Sequence, residues 1–126
     1  MEGSVYIEEM MDGDMVMEAC DLVVCHGGNG TIYQALRHGR PIIGIPTIPD
    51  QAFNMRRVEA LGVGCTLTWK EFINNPDSLL KAIRYAKGNR SFYEQAERVK
   101  SILSNYNAPG AAAELISNLM QLPVSA

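Results

Sequence analysis

Two nearly continuous apolar stretches, DLVVC at 21–25 and PIIGIP at 41–46, stand one short helical pattern apart. A strand half exposed to water alternates apolar and polar residues, whereas an unbroken apolar run suits a strand covered on both faces. SVYIE at 4–8 and GCTLTW at 64–69 are two further short β-rich runs, each separated from the next by a segment of different periodicity. The pattern predicts an α/β fold: a Rossmann-like parallel sheet of four strands with helices on both faces, DLVVC and PIIGIP at its centre.

The intervening segments supply helix signals. The first helix is expected from Asn29 to His38, with Gly39 as a left-handed stop and Pro41 beyond. A second should begin at Asp50 as N-cap, carry Met55, Val58 and Leu61 inward and end at Gly62. Asn75 and Pro76 predict the start of a third, with Leu79, Leu80 and Ile83 inward and Gly88-Asn89 at its end. Ser91 and Glu94 have capping-box spacing for a fourth, whose buried stripe is Ala96, Val99, Ile102, Leu103 and Tyr106. NAPG at 107–110 breaks it, and a last helix carries Leu115, Ile116, Leu119 and Met120.

Composition narrows the function classes. The 126 residues suffice for one core, and 47% hydrophobic with 20% charged residues is ordinary for a globular domain. A net charge of -3 offers no basic footprint for nucleic acid. No apolar run approaches a membrane span, and the opening MEGSVYIEE is acidic where a secretory leader would be basic. Cys20, Cys25 and Cys65 form an odd set that suits reduced thiols and a cytoplasmic setting. Cys20, Cys25, His26 and His38 lack the ligand spacing of a metal site.

The chemistry concentrates where the first central strand meets its helix, in HGGNGT at 26–31. Ligands of open α/β sheets settle beyond the carboxyl ends of the strands. Glycines at 27, 28 and 30 remove Cβ atoms that would keep a ligand from the backbone, and the helix start presents unpaired N–H groups. Thr31 adds a hydroxyl, and His26 a ring N–H for a phosphate oxygen. The turn is neither a Walker loop, lacking the lysine, nor a dinucleotide fingerprint, lacking its third glycine. The same glycines also suit a tight turn and close helix packing.

The next strand leads into PTIPDQAFNMRR at 46–57, bringing Asp50 and Gln51 to the same edge. A carboxylate beside an amide can accept from and donate to neighbouring hydroxyls, although Asp50 is equally a good helix cap. Phosphate on one loop and hydroxyls on the next predict a sugar phosphate or nucleotide sugar.

The span from His26 to Gly64, HGGNGTIYQALRHGRPIIGIPTIPDQAFNMRRVEALGVG, resembles the donor-binding signature of the UDP-glycosyltransferase superfamily, particularly its bacterial and macrolide-type members. The resemblance implies the C-terminal half-domain of a GT-B fold, in which two Rossmann-like domains face a cleft. It implies that His26 contacts the donor diphosphate, with Gly28, Asn29, Gly30 and Thr31 supplying donors at the helix N-terminus. Gln34 falls where plant-type members hold the ribose with a glutamate, and Asp50 and Gln51 match the pair that holds the transferred sugar. The tryptophan-proline motif that stacks on the base in many relatives has no counterpart in EEMMDGDMV at 8–16, so the base contact is unassigned. The family's general base belongs to its N-terminal domain. Residues 1–126 are therefore expected to be an incomplete donor-binding domain, without a catalytic base and with an acceptor-binding partner domain in cis or in trans. His38 reads as a favourable charge at a helix C-terminus.

The expected activity is the donor-binding part of an inverting glycosyltransferase moving a hexosyl group from a UDP-sugar, as substrate, to an acceptor hydroxyl, with no cofactor and no metal. Two alternatives share the fold: a nucleotide-sugar epimerase, which usually has acidic residues where Tyr33 and Gln34 stand, and a non-catalytic donor-binding subunit of a two-chain transferase.

Overall fold

The computed structural model describes residues 5–105 and 117–118. In chain order the elements are α1 (Gly13–Ala19), β1 (Val23–Cys25), α2 (Asn29–Arg37), β2 (Ile42–Gly44), α3 (Pro49–Leu61), β3 (Gly64–Thr66), α4 (Trp69–Asn74), α5 (Ser78–Lys87) and α6 (Arg90–Ser104). The strands are parallel in the order β1-β2-β3, with Val23, Ile42 and Gly64 in register across the sheet.

The consecutive residues Ile42 and Ile43 are both 0% exposed, although a strand sends them to opposite faces. Ile42 joins Met17, Ile32, Leu36, Met55, Val58 and Val99 under α1, α2, α3 and α6, whereas Ile43 joins Leu67, Ala86 and Phe92 under α4, α5 and the start of α6. This is the three-layer arrangement expected from PIIGIP; DLVVC, expected at the centre, instead forms the edge strand β1 among the described residues, and Val24 is 42% exposed because no strand or helix covers it. Each such isoleucine contributes roughly 1.5–3 kcal/mol by leaving water. Gly44 and Gly64 leave room for α3: a Cβ on Gly44 would meet the Met55 side chain, and one on Gly64 would meet Val58 at 3.0 Å.

The fourth expected strand is absent among the described residues. Val5, Tyr6 and Ile7 belong to no strand and are 82%, 78% and 89% exposed. A β segment needs a neighbouring ladder to satisfy its backbone, and none lies alongside.

Helix boundaries follow local chemistry more closely than the expected caps. Gly62 closes α3 with φ 73°, as its position predicts, and Gly39 beyond α2 has φ 68°. Asp50, however, lies inside the first turn of α3; Ile48 occupies the N-cap and Pro49 the first helical position, where a missing N–H costs nothing. The third expected helix starts at Ser78 after Asp77, because Asn75 and Pro76 belong to the link from α4. Leu80 points outward and is 44% exposed. Asn89 caps α6 by accepting from the Phe92 N–H, in place of the Ser91–Glu94 box. Ile102 is more exposed than the stripe implies. Tyr106 and the last expected helix lie outside the described residues.

Two short helices carry weak sequence signals. The capping box Thr68/Glu71 starts α4, which has no buried residue of its own. Helix α1 is seven residues long and buries only Met17; Asp12 caps it by accepting from the N–H groups of Asp14 and Met15. So short a helix is not stable in isolation. Its attachments are tertiary: Arg40 donates to the carbonyls of Met17 and Glu18 at 2.8 and 3.1 Å.

Candidate functional site

The carboxyl ends of β1 and β2 are level. Cys25 pairs with Gly44, and the Ile45 N–H donates to the Cys25 carbonyl at 2.8 Å, so the glycine turn and the 45–48 loop leave the sheet side by side. His26 is exposed at the start of the turn. Gly27 takes φ 91°, a conformation open to glycine at little cost, and a Cβ there would lie 2.9 Å from the Gln51 carbonyl and 3.0 Å from Met55 Cγ. The turn and the first turn of α3 are thus in direct contact. Asn54 completes the tie, its side-chain amide donating to the Gly27 carbonyl at 2.8 Å. Sequence reading missed Asn54, and no local signal marks it, because its partner Gly27 lies 27 positions away.

The other two glycines are unlike Gly27. Gly28 has φ −70° and ψ 142°, values open to any residue, and Gly30 lies in the first turn of α2. A Cβ at either position would meet nothing within 4 Å. The fold itself therefore gives no steric reason for glycine at 28 or 30, and the space beside the backbone is open. Gly28 is the N-cap of α2 and offers no side-chain acceptor, so the N–H groups that begin the helix are left to an outside partner. Asn29 and Gly30 are exposed there, with Thr31 half-buried beside them.

On one flank stand Asp50, exposed, and Gln51, half-buried. The Gln51 carbonyl oxygen Oε1 accepts from Thr47 N–H and Oγ at 3.0 and 3.1 Å, which fixes the amide and leaves its NH2 as the donor end. Ile48, the N-cap of α3, likewise supplies no side-chain acceptor. On the other flank, Gln34 is four residues beyond Gly30 and shares its face of α2. Its amide rests against Gly13, the first residue of α1. Structure thus brings the glycine turn into contact with Gln51, and it sets Gln34 further along α2 against Gly13.

His38 does more than complement a helix end. Its Nε2 lies 3.0 Å from Asp14 Oδ1, with the imidazole 16% exposed. The hydrogen bond from His38, helped by Arg37 and the Gln34 amide, holds the Asp14 carboxyl below its ordinary value of 3.8 against the opposing effect of burial. A carboxyl lowered by folding stabilises the fold above its unfolded pKa, and that contribution disappears as pH falls through the folded one. Relative to its intrinsic rate, amide exchange in α1 should therefore accelerate below pH 3.8 ahead of the core strands, and Asp14→Asn should remove that acceleration. Equal acceleration in the variant would assign the effect to other carboxylates.

Burial pushes the Cys25 thiol up from its ordinary value, opposed in part by the Gly27 backbone, and keeps it neutral at pH 7. Cys20, Cys25 and Cys65 are all unpaired and partly buried. Among the described residues no helix is long and apolar enough to cross a membrane.

Comparison with known proteins places this geometry in context. Residues 5–122 match the family described as the erythromycin biosynthesis protein CIII-like C-terminal domain. Over 79 residues, 63% of the chain and 15% of the relative, the sequence is 37% identical to UDP-glucuronosyltransferase 2C1 of Oryctolagus cuniculus. A PGL/p-HBAD biosynthesis glycosyltransferase of Mycobacterium tuberculosis is 28% identical over 76% of the chain and 22% of its own length. Among solved structures, the spinosyn rhamnosyltransferase SpnG superposes with a TM-score of 0.73 at 26% identity, covering 90% of this chain and 30% of that one. Its complex with thymidine diphosphate gives a TM-score of 0.68 at 25% identity over 84% of this chain and 28% of that one. The chain thus spans between 15% and 30% of the length of these relatives.

Proposed function

The chain belongs to the family of erythromycin biosynthesis protein CIII-like C-terminal domains, within the GT-B glycosyltransferases, and on that premise we propose that it binds the nucleotide-sugar donor of such an enzyme. The observation that carries the reading is the open space beside Gly28 and Gly30 at an uncapped helix start. Glycine in a helix costs up to about 1 kcal/mol relative to alanine, and no contact of the fold offsets that at Gly30. A ligand that must approach the backbone closely does.

The reading assigns these groups to the parts of a nucleoside diphosphate sugar. Gln34 meets the ribose; His26, Gly28, Asn29, Gly30 and Thr31 hold the diphosphate; Asp50 and Gln51 take the hydroxyls of a hexose. The relatives' names support a UDP-linked donor in one case and a thymidine diphosphate in another. In transfer, an acceptor hydroxyl attacks the anomeric carbon from the side opposite the diphosphate, inverting the centre as the bond to the distal phosphate oxygen breaks. The negative charge that gathers on the departing diphosphate meets preoriented N–H groups and the positive end of α2. Its acceptor and the base that takes the hydroxyl proton come from a partner domain, in cis or in trans. Three free cysteines suit work in a reducing compartment such as the cytoplasm.

A calorimetric titration with UDP and thymidine diphosphate, on the chain and on Gly30→Ala, tests this. The variant should be as stable as the parent or more so, while its affinity for the bound nucleotide falls about tenfold, equivalent to about 1.4 kcal/mol. A parent chain that binds neither nucleotide, or a variant that binds as well as the parent, would overturn the reading.

A further inference from the structure

Gly13 opens α1 in a helical conformation that any residue can adopt, and it caps nothing. What a side chain there would displace is Gln34: a Cβ on Gly13 would lie within 2.6 Å of Nε2, Oε1 and Cδ of its amide. The next residue, Asp14, flanks the same amide and is itself held by His38 at 3.0 Å. At its far end α1 is pinned by the two hydrogen bonds from Arg40, which leads into β2. The start of α1 is thus a fixed stop against which the Gln34 amide rests.

We infer that Gly13 and Asp14 are positioning residues for the ribose end of the donor site, acting through Gln34. Gly13 sets how far the amide can withdraw toward α1, and the Asp14 carboxylate, anchored by His38, orients its NH2 group. The inference rests on the assignment of Gln34 to the ribose. It predicts that the first turn of α1 tunes affinity for the nucleoside portion and leaves affinity for the diphosphate portion unchanged.

Titrations of the full chain with UDP and with inorganic pyrophosphate separate the two. Gly13→Ala meets only the far end of a flexible side chain, so the amide gives way and the melting midpoint should stay close to that of the parent. UDP affinity should drop about tenfold, the effect of losing one good hydrogen bond, with pyrophosphate affinity unchanged. The double variant Gly13→Ala/Gln34→Ala should bind UDP no more weakly than Gln34→Ala alone, since the first change acts through the second residue. Asp14→Asn gives a second route to the same pattern should Gly13→Ala lose its fold. Parent-like UDP binding by Gly13→Ala, beside a weakened Gln34→Ala, would overturn the positioning role and leave the ribose assignment standing. Parent-like binding by Gln34→Ala would remove the assignment and the inference together. Parallel loss of pyrophosphate, or additive losses in the double variant, would mean general damage to the site and would also overturn the inference.

Discussion

Gly64→Ala should lose about 3 kcal/mol of stability or more, at the upper end of what an overfilled site costs. The ideal Cβ would lie far inside 3.0 Å of the Ile42 carbonyl oxygen, 2.9 Å from its carbonyl carbon and 3.0 Å from Val58. Backbone of a central strand cannot give way as the end of a flexible side chain can. Relief therefore requires β2 and β3 to separate, which breaks the pairing of Ile42 with Gly64 and the Val63 carbonyl's bond to the Ile42 N–H at 3.0 Å. Because a domain of this size has only about 5–15 kcal/mol in total, the melting midpoint should fall on the order of 10 °C. Gly62→Ala is the control: φ 73° makes it strained, yet its Cβ meets Gln95 only at 3.5 Å, so about 1–2 kcal/mol is expected. A Gly64→Ala chain as stable as Gly62→Ala would contradict the close β2–β3 approach.

Gly27→Ala should damage both stability and nucleotide affinity, in contrast to Gly30→Ala. The left-handed conformation alone costs about 1–2 kcal/mol for an L-residue. Contact with the Gln51 carbonyl at 2.9 Å adds to it, because that oxygen belongs to the first turn of α3, which carries the pair proposed to hold the sugar. Turn and helix must part, and the Asn54 bond to the Gly27 carbonyl goes with them. Loss of that bond is worth about 1 kcal/mol more. We expect a drop of roughly 2–4 kcal/mol in stability and UDP affinity weakened at least tenfold. Chemical denaturation and UDP titration on the same preparation check the two effects. A variant destabilised as expected but binding UDP like the parent would show that the diphosphate does not depend on where the turn sits.

The three glycines of the turn illustrate how far sequence reaches. Their clustering after an apolar strand predicts a ligand edge without telling them apart, whereas Gly27 serves the chain's own packing and Gly28 and Gly30 face open space. Nothing in the letters separates these uses, because the difference lies in what α3 brings to within 3 Å. Asn54 and Arg40 were illegible for the same reason: each acts on a carbonyl more than 20 positions away. Leu80 and the 4–8 run were misread because local hydrophobicity says nothing about whether a neighbouring element arrives to cover it.

What the sequence determined by itself was the α/β layering and the edge of the sheet at which the glycine turn and the start of α3 meet. These follow from hydrophobic period, turn chemistry and the direction of parallel strands, all encoded over a few consecutive positions. Tertiary structure alone decided that α1 exists, that His38 and Arg40 hold it, and that Gly13 leaves room for the Gln34 amide. A seven-residue helix with one buried side chain has too little local free energy to form, so only contacts made across the fold bring it into being.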